Sequence, residues 1–134
     1  MKLWRLAVYL AAAIVVVAAV GAGSVTAHKK KIKATITVQW NDNEGLYTSG
    51  DIFSGDVTTK KKCRKDRTVK VFRAQADQLI GTDRTNNQGH YVVEVGREAS
   101  PGDYFAKLKK KALKRNKKHK HICKKATSPT ITVG

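Results

Sequence analysis

Residues 67–95, RTVKVFRAQADQLIGTDRTNNQGHYVVEV, decide the fold class of this chain. Val69 and Val71 alternate with residues that would face the other way, and HYVVEV repeats the alternation. Apolar residues with a period of two, many of them β-branched, are typical of half-buried strands. The letters NNQG predict a turn, since Gly89 tolerates a positive φ. The stretch therefore predicts three strands, RTVKVFRA, QLIGTDRT and HYVVEV, joined by turns.

The same pattern extends outward in both directions. Ile32 to Trp40 alternates, DIFSGDVTT is a short strand interrupted by Gly55, and GDYFAKL and SPTITV follow. The basic residues 28–33 are expected to be frayed at their start, and KKKCRKDR is expected to be a loop. Seven or eight short strands with turns between them, and no clear helix, predict an all-β sandwich or barrel.

Several motifs carry a resemblance to known sandwich modules: Val69-x-Val71, Gly81-Thr82, Thr85-Asn86-x-x-Gly89-x-Tyr91 and Gly102-x-Tyr104. From residue 67 to residue 108 the chain resembles the carboxypeptidase regulatory-like, prealbumin-like and Cna-B-like modules. The resemblance implies an Ig-like or prealbumin-like β-sandwich that is a non-catalytic accessory or surface domain. Two features depart from the commonest form of these modules: the pair of cysteines, Cys63 and Cys123, and the lysine-rich stretch of residues 107–125, which is expected to form a hairpin. Some Cna-B-like modules carry a Lys–Asn isopeptide bond, but no such triplet is assigned here.

The first 27 residues predict a helical signal peptide. Lys2 and Arg5 precede an uncharged, mostly apolar run, and small residues lead to Ala27. A cut after Ala27 would leave a single domain over residues 28–134 and lower the formal charge from +17 to +15. The alternative is an uncleaved anchor, because the run is nearly long enough to span a bilayer. The protein is expected to be secreted or extracellular, or membrane-anchored if the segment stays.

Cys63 and Cys123 are the two cysteines of the chain. An even count in an exported chain predicts a disulfide. Closing a loop of about sixty residues would stabilise the domain by on the order of 4 kcal/mol in the loop-entropy model.

Residues 107–125, KLKKKALKRNKKHKHICKK, hold eleven lysines and arginines and no acidic residue. Alternation beginning at Tyr104 predicts a strand, a turn at KRNKKHK and a return strand fixed by Cys123. Clustered ammonium groups attract anionic polymers, and the candidate binding residues are Lys109, Lys110, Lys111, Lys114, Arg115, Lys117 and Lys118. The alternative is that these lysines keep exposed edge strands soluble. Nucleic acid is disfavoured as a partner, because the chain is predicted to be exported and the stretch has no interleaved aromatic residues.

Other interpretations of this stretch are weaker. Leu108, Ala112 and Leu113 could share one face of a basic amphipathic helix, but that apolar face is thin. His119, His121 and Cys123 would share one strand face, with Cys63 as a fourth zinc ligand. The flanking lysines and an oxidising compartment argue against zinc, so neither a metal nor a cofactor is expected.

Catalysis and calcium binding have little support. A Ser-His-Asp set could be drawn from His90, Asp83 and one of Ser54, Ser100 or Ser128. No nucleophile motif surrounds any of these serines, so the sequence does not support a catalytic triad. The acidic residues Asp42, Glu44, Asp51 and Asp56 match no EF-hand loop and are expected to neutralise nearby lysines. The sequence therefore predicts a non-enzymatic monomer with a structural or binding role at the cell envelope or outside the cell.

Overall fold

A computed structural model describes residues 28–42, 50–114, 116 and 118–134 of the chain. Within these ranges the protein is all-β, with two short 3₁₀ turns, Lys61–Cys63 and Gln75–Asp77, and no α-helix. The strands are β1 (His28–Ile32), β2 (Ala34–Ile36), β3 (Gln39–Asn41), β4 (Ile52–Thr59), β5 (Thr68–Arg73), β6 (Gln78–Arg84), β7 (His90–Glu94), β8 (Gly102–Leu108), β9 (Lys111–Lys114), β10 (His119–Cys123), β11 (Ala126–Thr127) and β12 (Ile131–Val133). The expected signal-peptide helix lies outside the described residues.

Two larger sheets form a sandwich. The first has the order β2-β4-β3, with β7 pairing along the other side of β4. The second has the order β11-β8-β5-β6, with β12 also paired to β8. All pairings in these two sheets are antiparallel.

The core lies between these sheets and takes one side of each strand. The first sheet contributes Phe53, Val57, Tyr91 and Val93, and the second contributes Val69, Val71, Tyr104, Ala106 and Leu108. Phe53 and Tyr104 meet across the interface, with ring centroids 4.7 Å apart. The side-chain alternation predicted for β5, β7 and β8 is therefore confirmed.

A third, three-stranded sheet has the order β1-β10-β9. It combines the N-terminal strand with a hairpin that follows β8 in the chain. β1 runs parallel to β10, and β9 runs antiparallel to it. The residues expected to be frayed at 28–33 are thus largely a paired strand.

The predicted count of seven or eight strands is not confirmed, because long alternating stretches are divided between sheets. The stretch from Ile32 to Trp40 keeps its predicted facing but passes through β1, β2 and β3. Gly55 does not interrupt β4. It fits there because the carbonyl of Thr37 and the hydroxyl of Tyr91 occupy the space that a Cβ would need. Gly89 has the positive φ that the turn predicts, 92°.

Candidate functional site

The lysine-rich hairpin consists of β9 and β10. Its register pairs Lys120 with Lys114 and Cys123 with Lys111. Between the two strands, the Asn116 side-chain oxygen accepts hydrogen bonds from the backbone N–H groups of Lys118 (2.9 Å) and His119 (2.7 Å). The predicted return strand is confirmed as β10, but the strand predicted from Tyr104 is divided into β8 and β9, which lie in different sheets. The amphipathic helix considered for Leu108 to Leu113 is wrong, because these residues are not helical.

A disulfide and a buried arginine attach the hairpin to the sandwich. Cys63 and Cys123 are bonded to one another, 60 residues apart in sequence, as predicted. Arg67 is fully buried. Its guanidinium donates hydrogen bonds to the carbonyls of Cys63, Lys109 and Lys124, each at 2.8 Å. The loop before β5 is therefore joined to both ends of the hairpin.

Three lysines lie side by side across the three-stranded sheet. The pairing register places Lys29 opposite Lys120, and Lys120 opposite Lys114. Residues directly opposite one another share a face of the sheet, and adjacent strands are about 4.8 Å apart. We call Lys29, Lys120 and Lys114 the lysine row. Lys31 lies on the same face, in the next position along β1.

The lysine row has no acidic partner among the described residues. The one ion pair between described residues joins His90 to Asp56, at 3.2 Å. Lys29 and Lys114 are exposed, and Lys120 is half-buried. Like charges directly opposite one another destabilise a sheet. A bound anion would relieve that repulsion.

The opposite face of the same sheet is different in character. There Ile32 and Leu113 pack with the disulfide, and the rings of His28 and His119 stack with centroids 6.4 Å apart. Lys111 is half-buried, and its ammonium donates to the backbone carbonyls of residues 65 and 66 at 3.2 and 3.1 Å. This face holds the hairpin in place and engages Lys111, whereas Lys30 lies exposed on the same face opposite His121.

The predicted polymer-binding residues thus divide into separate groups. Lys109 and Lys110 are exposed between β8 and β9, Lys114 lies in the lysine row, and Lys118 is exposed near the hairpin turn. Arg115 and Lys117 lie outside the described residues. Lys111 is engaged with the loop before β5.

The sequence prediction missed Lys29 and Lys120 as neighbours of Lys114. The parallel pairing of β1 with β10 brings them together. That pairing could not be predicted from the local sequence of either strand.

The combinations considered for zinc and for catalysis are not assembled. Cys63 and Cys123 are oxidised to a disulfide, so neither can be a thiolate ligand. The described residues contain no cluster of three or more potential metal ligands. His90 pairs with Asp56, whereas the Asp83 carboxylate accepts the backbone N–H of Val92 at 2.7 Å.

The acidic residues hold local structure. Among the described residues none of them forms an ion pair with a lysine. Their expected role in partly neutralising neighbouring lysines stays a prediction. The buried Asp51 carboxylate accepts hydrogen bonds from the Trp40 indole (3.0 Å) and the Ala99 N–H (2.7 Å). These groups line a cleft of about 260 Å³ whose described lining includes Asp42 and Glu98 but no histidine, serine or cysteine. Glu44 lies outside the described residues.

Over the described ranges, no helix has the length and apolar character needed to cross a membrane. No protein-family model matches the chain, and neither a curated protein nor a solved structure is significantly similar to it. The function therefore has to be inferred from the protein's own residues.

Proposed function

We propose that this protein is an exported, non-catalytic sandwich module of the prealbumin-like type that binds an anionic polymer through its lysine row. The observation that supports this proposal most directly is the row itself. Its three lysines lie on adjacent strands of one sheet face and have no carboxylate partner among the described residues. The proposed location is the cell envelope or the space outside the cell. The disulfide supports this, because disulfides persist in oxidising compartments. The protein acts as a monomer and needs no cofactor.

Electrostatics gives the binding mechanism. Lysine ammonium groups displace the counterions condensed on a polymer of phosphate, sulfate or carboxylate groups. Positions on three adjacent strands hold the stems of the row about 4.8 Å apart, so neighbouring anionic groups of one polymer can be met together. The net charge, +17 for the whole chain and +15 after a cut behind Ala27, adds attraction at longer range.

Substitution of the row tests this proposal. Lys29, Lys114 and Lys120 are changed together to Gln, and binding to inorganic polyphosphate is measured by calorimetry at low salt. Each lysine lost from a phosphate contact weakens binding, and we expect a loss of at least about tenfold for the triple variant.

A matched variant separates a site from net charge. Lys60, Lys61 and Lys65 are exposed residues in and around the 3₁₀ turn before β5, so changing them to Gln removes the same charge elsewhere. We expect this control to lose much less affinity. Equal losses in the two variants would mean that the lysines act only through overall charge and solubility, and the proposal would be wrong.

A further inference from the structure

The outward face of the five-stranded sheet carries a half-buried aromatic pair. Phe72 on β5 lies opposite Phe105 on β8. Their ring centroids are 5.6 Å apart and the ring planes differ by 15°. Both are half-buried, and neither belongs to the core cluster or packs against it. The two rings therefore stabilise the sheet only from outside.

A β-bulge enlarges this apolar surface. The pairing between β5 and β6 shifts between Val71 and Phe72, so that Leu79 stands opposite Phe72. Ile80 packs against the core, whereas Leu79 is 48% exposed. Bulges commonly re-aim side chains in this way. The bulge turns Leu79 outward beside the two rings.

Two lysines border the rings. Lys70 and Lys107 lie directly opposite one another on β5 and β8. The Lys107 ammonium lies 4.8 Å from the Phe72 ring centroid and 5.0 Å from that of Phe105. Within the described part of the chain, neither lysine pairs with a carboxylate. The Asp103 carboxylate on the same face accepts a hydrogen bond from the Thr132 hydroxyl.

We propose that this face, formed by Lys70, Phe72, Leu79, Phe105 and Lys107, binds the sugar rings of an acidic polysaccharide. The apolar C–H face of a sugar packs on the phenylalanine rings, and its carboxylate or sulfate accepts hydrogen bonds from the lysines. Lys107 is exposed and has a flexible stem, so its ammonium can leave the rings and follow the anionic group of the sugar. This assignment rests on the proposed function, because it specifies the anionic polymer as a glycan.

The combination of rings and lysines favours a glycan over other anions. Inorganic polyphosphate has no apolar surface and would gain nothing from the phenylalanines. Single-stranded nucleic acid could stack bases on them. The disulfide, however, indicates an oxidising compartment outside the cytosol and nucleus, which disfavours nucleic acid as the partner.

The test compares three probes: an oligogalacturonate, inorganic polyphosphate and oligothymidylate. Phe72 and Phe105 are changed to Thr, which keeps strand propensity. Oligogalacturonate binding should fall roughly tenfold, as expected when aromatic packing is lost. Polyphosphate binding should stay within about twofold, because it depends on charge alone. Val92→Thr is the control, since Val92 is 38% exposed but belongs to the other large sheet.

The outcomes separate this inference from the proposed function. Unchanged oligogalacturonate binding in the Phe variant, or equal losses for oligogalacturonate and polyphosphate, overturns the glycan assignment while the lysine row stands. Tighter, Phe-dependent binding of oligothymidylate also overturns it. Should the Phe variant misfold, NMR of the wild-type protein decides. Oligogalacturonate must then shift the Phe72 and Phe105 ring resonances, and unshifted rings contradict the proposal.

Discussion

Arg67 shows how one buried side chain joins the hairpin to the sandwich. Its guanidinium has no carboxylate partner among the described residues, and burial lowers the pKa of Arg67. Three carbonyl hydrogen bonds offset the loss of water around the charge. The planar fork of donors suits this role, and a lysine could not reproduce it. The sequence predicted Arg67 only as the first residue of a strand. Its role could not be predicted, because two of its three hydrogen-bond partners are distant in the chain.

Tyr91 gives a prediction about alkaline stability. Burial, and secondarily the Asp56 carboxylate, raises the pKa of the Tyr91 phenol, whose hydroxyl donates to the Thr37 carbonyl at 2.6 Å. The unfolded chain releases this proton near pH 10, whereas the folded chain keeps it to higher pH. The stabilisation from this group is complete below about pH 10 and is lost as the pH rises further.

Urea unfolding between pH 8 and pH 11 measures this effect. The wild-type midpoint should fall more steeply above about pH 10 than that of Tyr91→Phe, which has no phenol to ionise. Parallel declines in the two proteins would show that Tyr91 is not responsible.

At the scale of elements, the alternation of apolar residues predicted which side chains face the core, but it did not predict which strands pair. The inward residues of β5, β7 and β8 follow from period two alone, because a half-buried strand must place every second side chain in the core. The turn at Gly89 follows from its chemistry. The break between β8 and β9 and the partner of β1 could not be predicted, since both depend on contacts distant in sequence. The lysine row was missed for that reason.

The turn between β5 and β6 carries local strain that a substitution can remove. Ala76 has a φ of 64°, in the left-handed region that costs an L-residue with a Cβ about 1–2 kcal/mol. Ala76→Gly should therefore stabilise the protein by roughly 0.5–1 kcal/mol, after the extra flexibility of glycine in the unfolded chain is allowed for. Ala74→Gly is the matched control. Ala74 has a φ of −63°, so this change should destabilise. Chemical denaturation measures both, and a destabilised Ala76→Gly would contradict the prediction.

At the scale of the whole molecule, acidic and basic side chains have different roles. Several carboxylates make contacts within the fold, whereas the lysines of the row face solvent. Three carboxylates hold parts of the fold: Asp51 an indole and a backbone N–H, Asp56 a histidine, and Asp83 a backbone N–H. Within the described part of the chain, the lysines of the row have no acidic partners. Composition predicted a polyanion-attracting surface, because a net charge of +17 requires it. Composition does not predict which lysines share a face. The pairing of β1, β10 and β9 in the three-stranded sheet places Lys29, Lys120 and Lys114 together.

The salt dependence of binding tests the lysine row most directly. The logarithm of the association constant for polyphosphate is measured against the logarithm of salt concentration, for the wild type and for the Lys29, Lys114 and Lys120 to Gln variant. If the three ammonium groups contact phosphates, the slope should decrease in magnitude by about three, close to one per lysine. The Lys60, Lys61 and Lys65 variant should keep the wild-type slope. An unchanged slope in the row variant would contradict the proposed site.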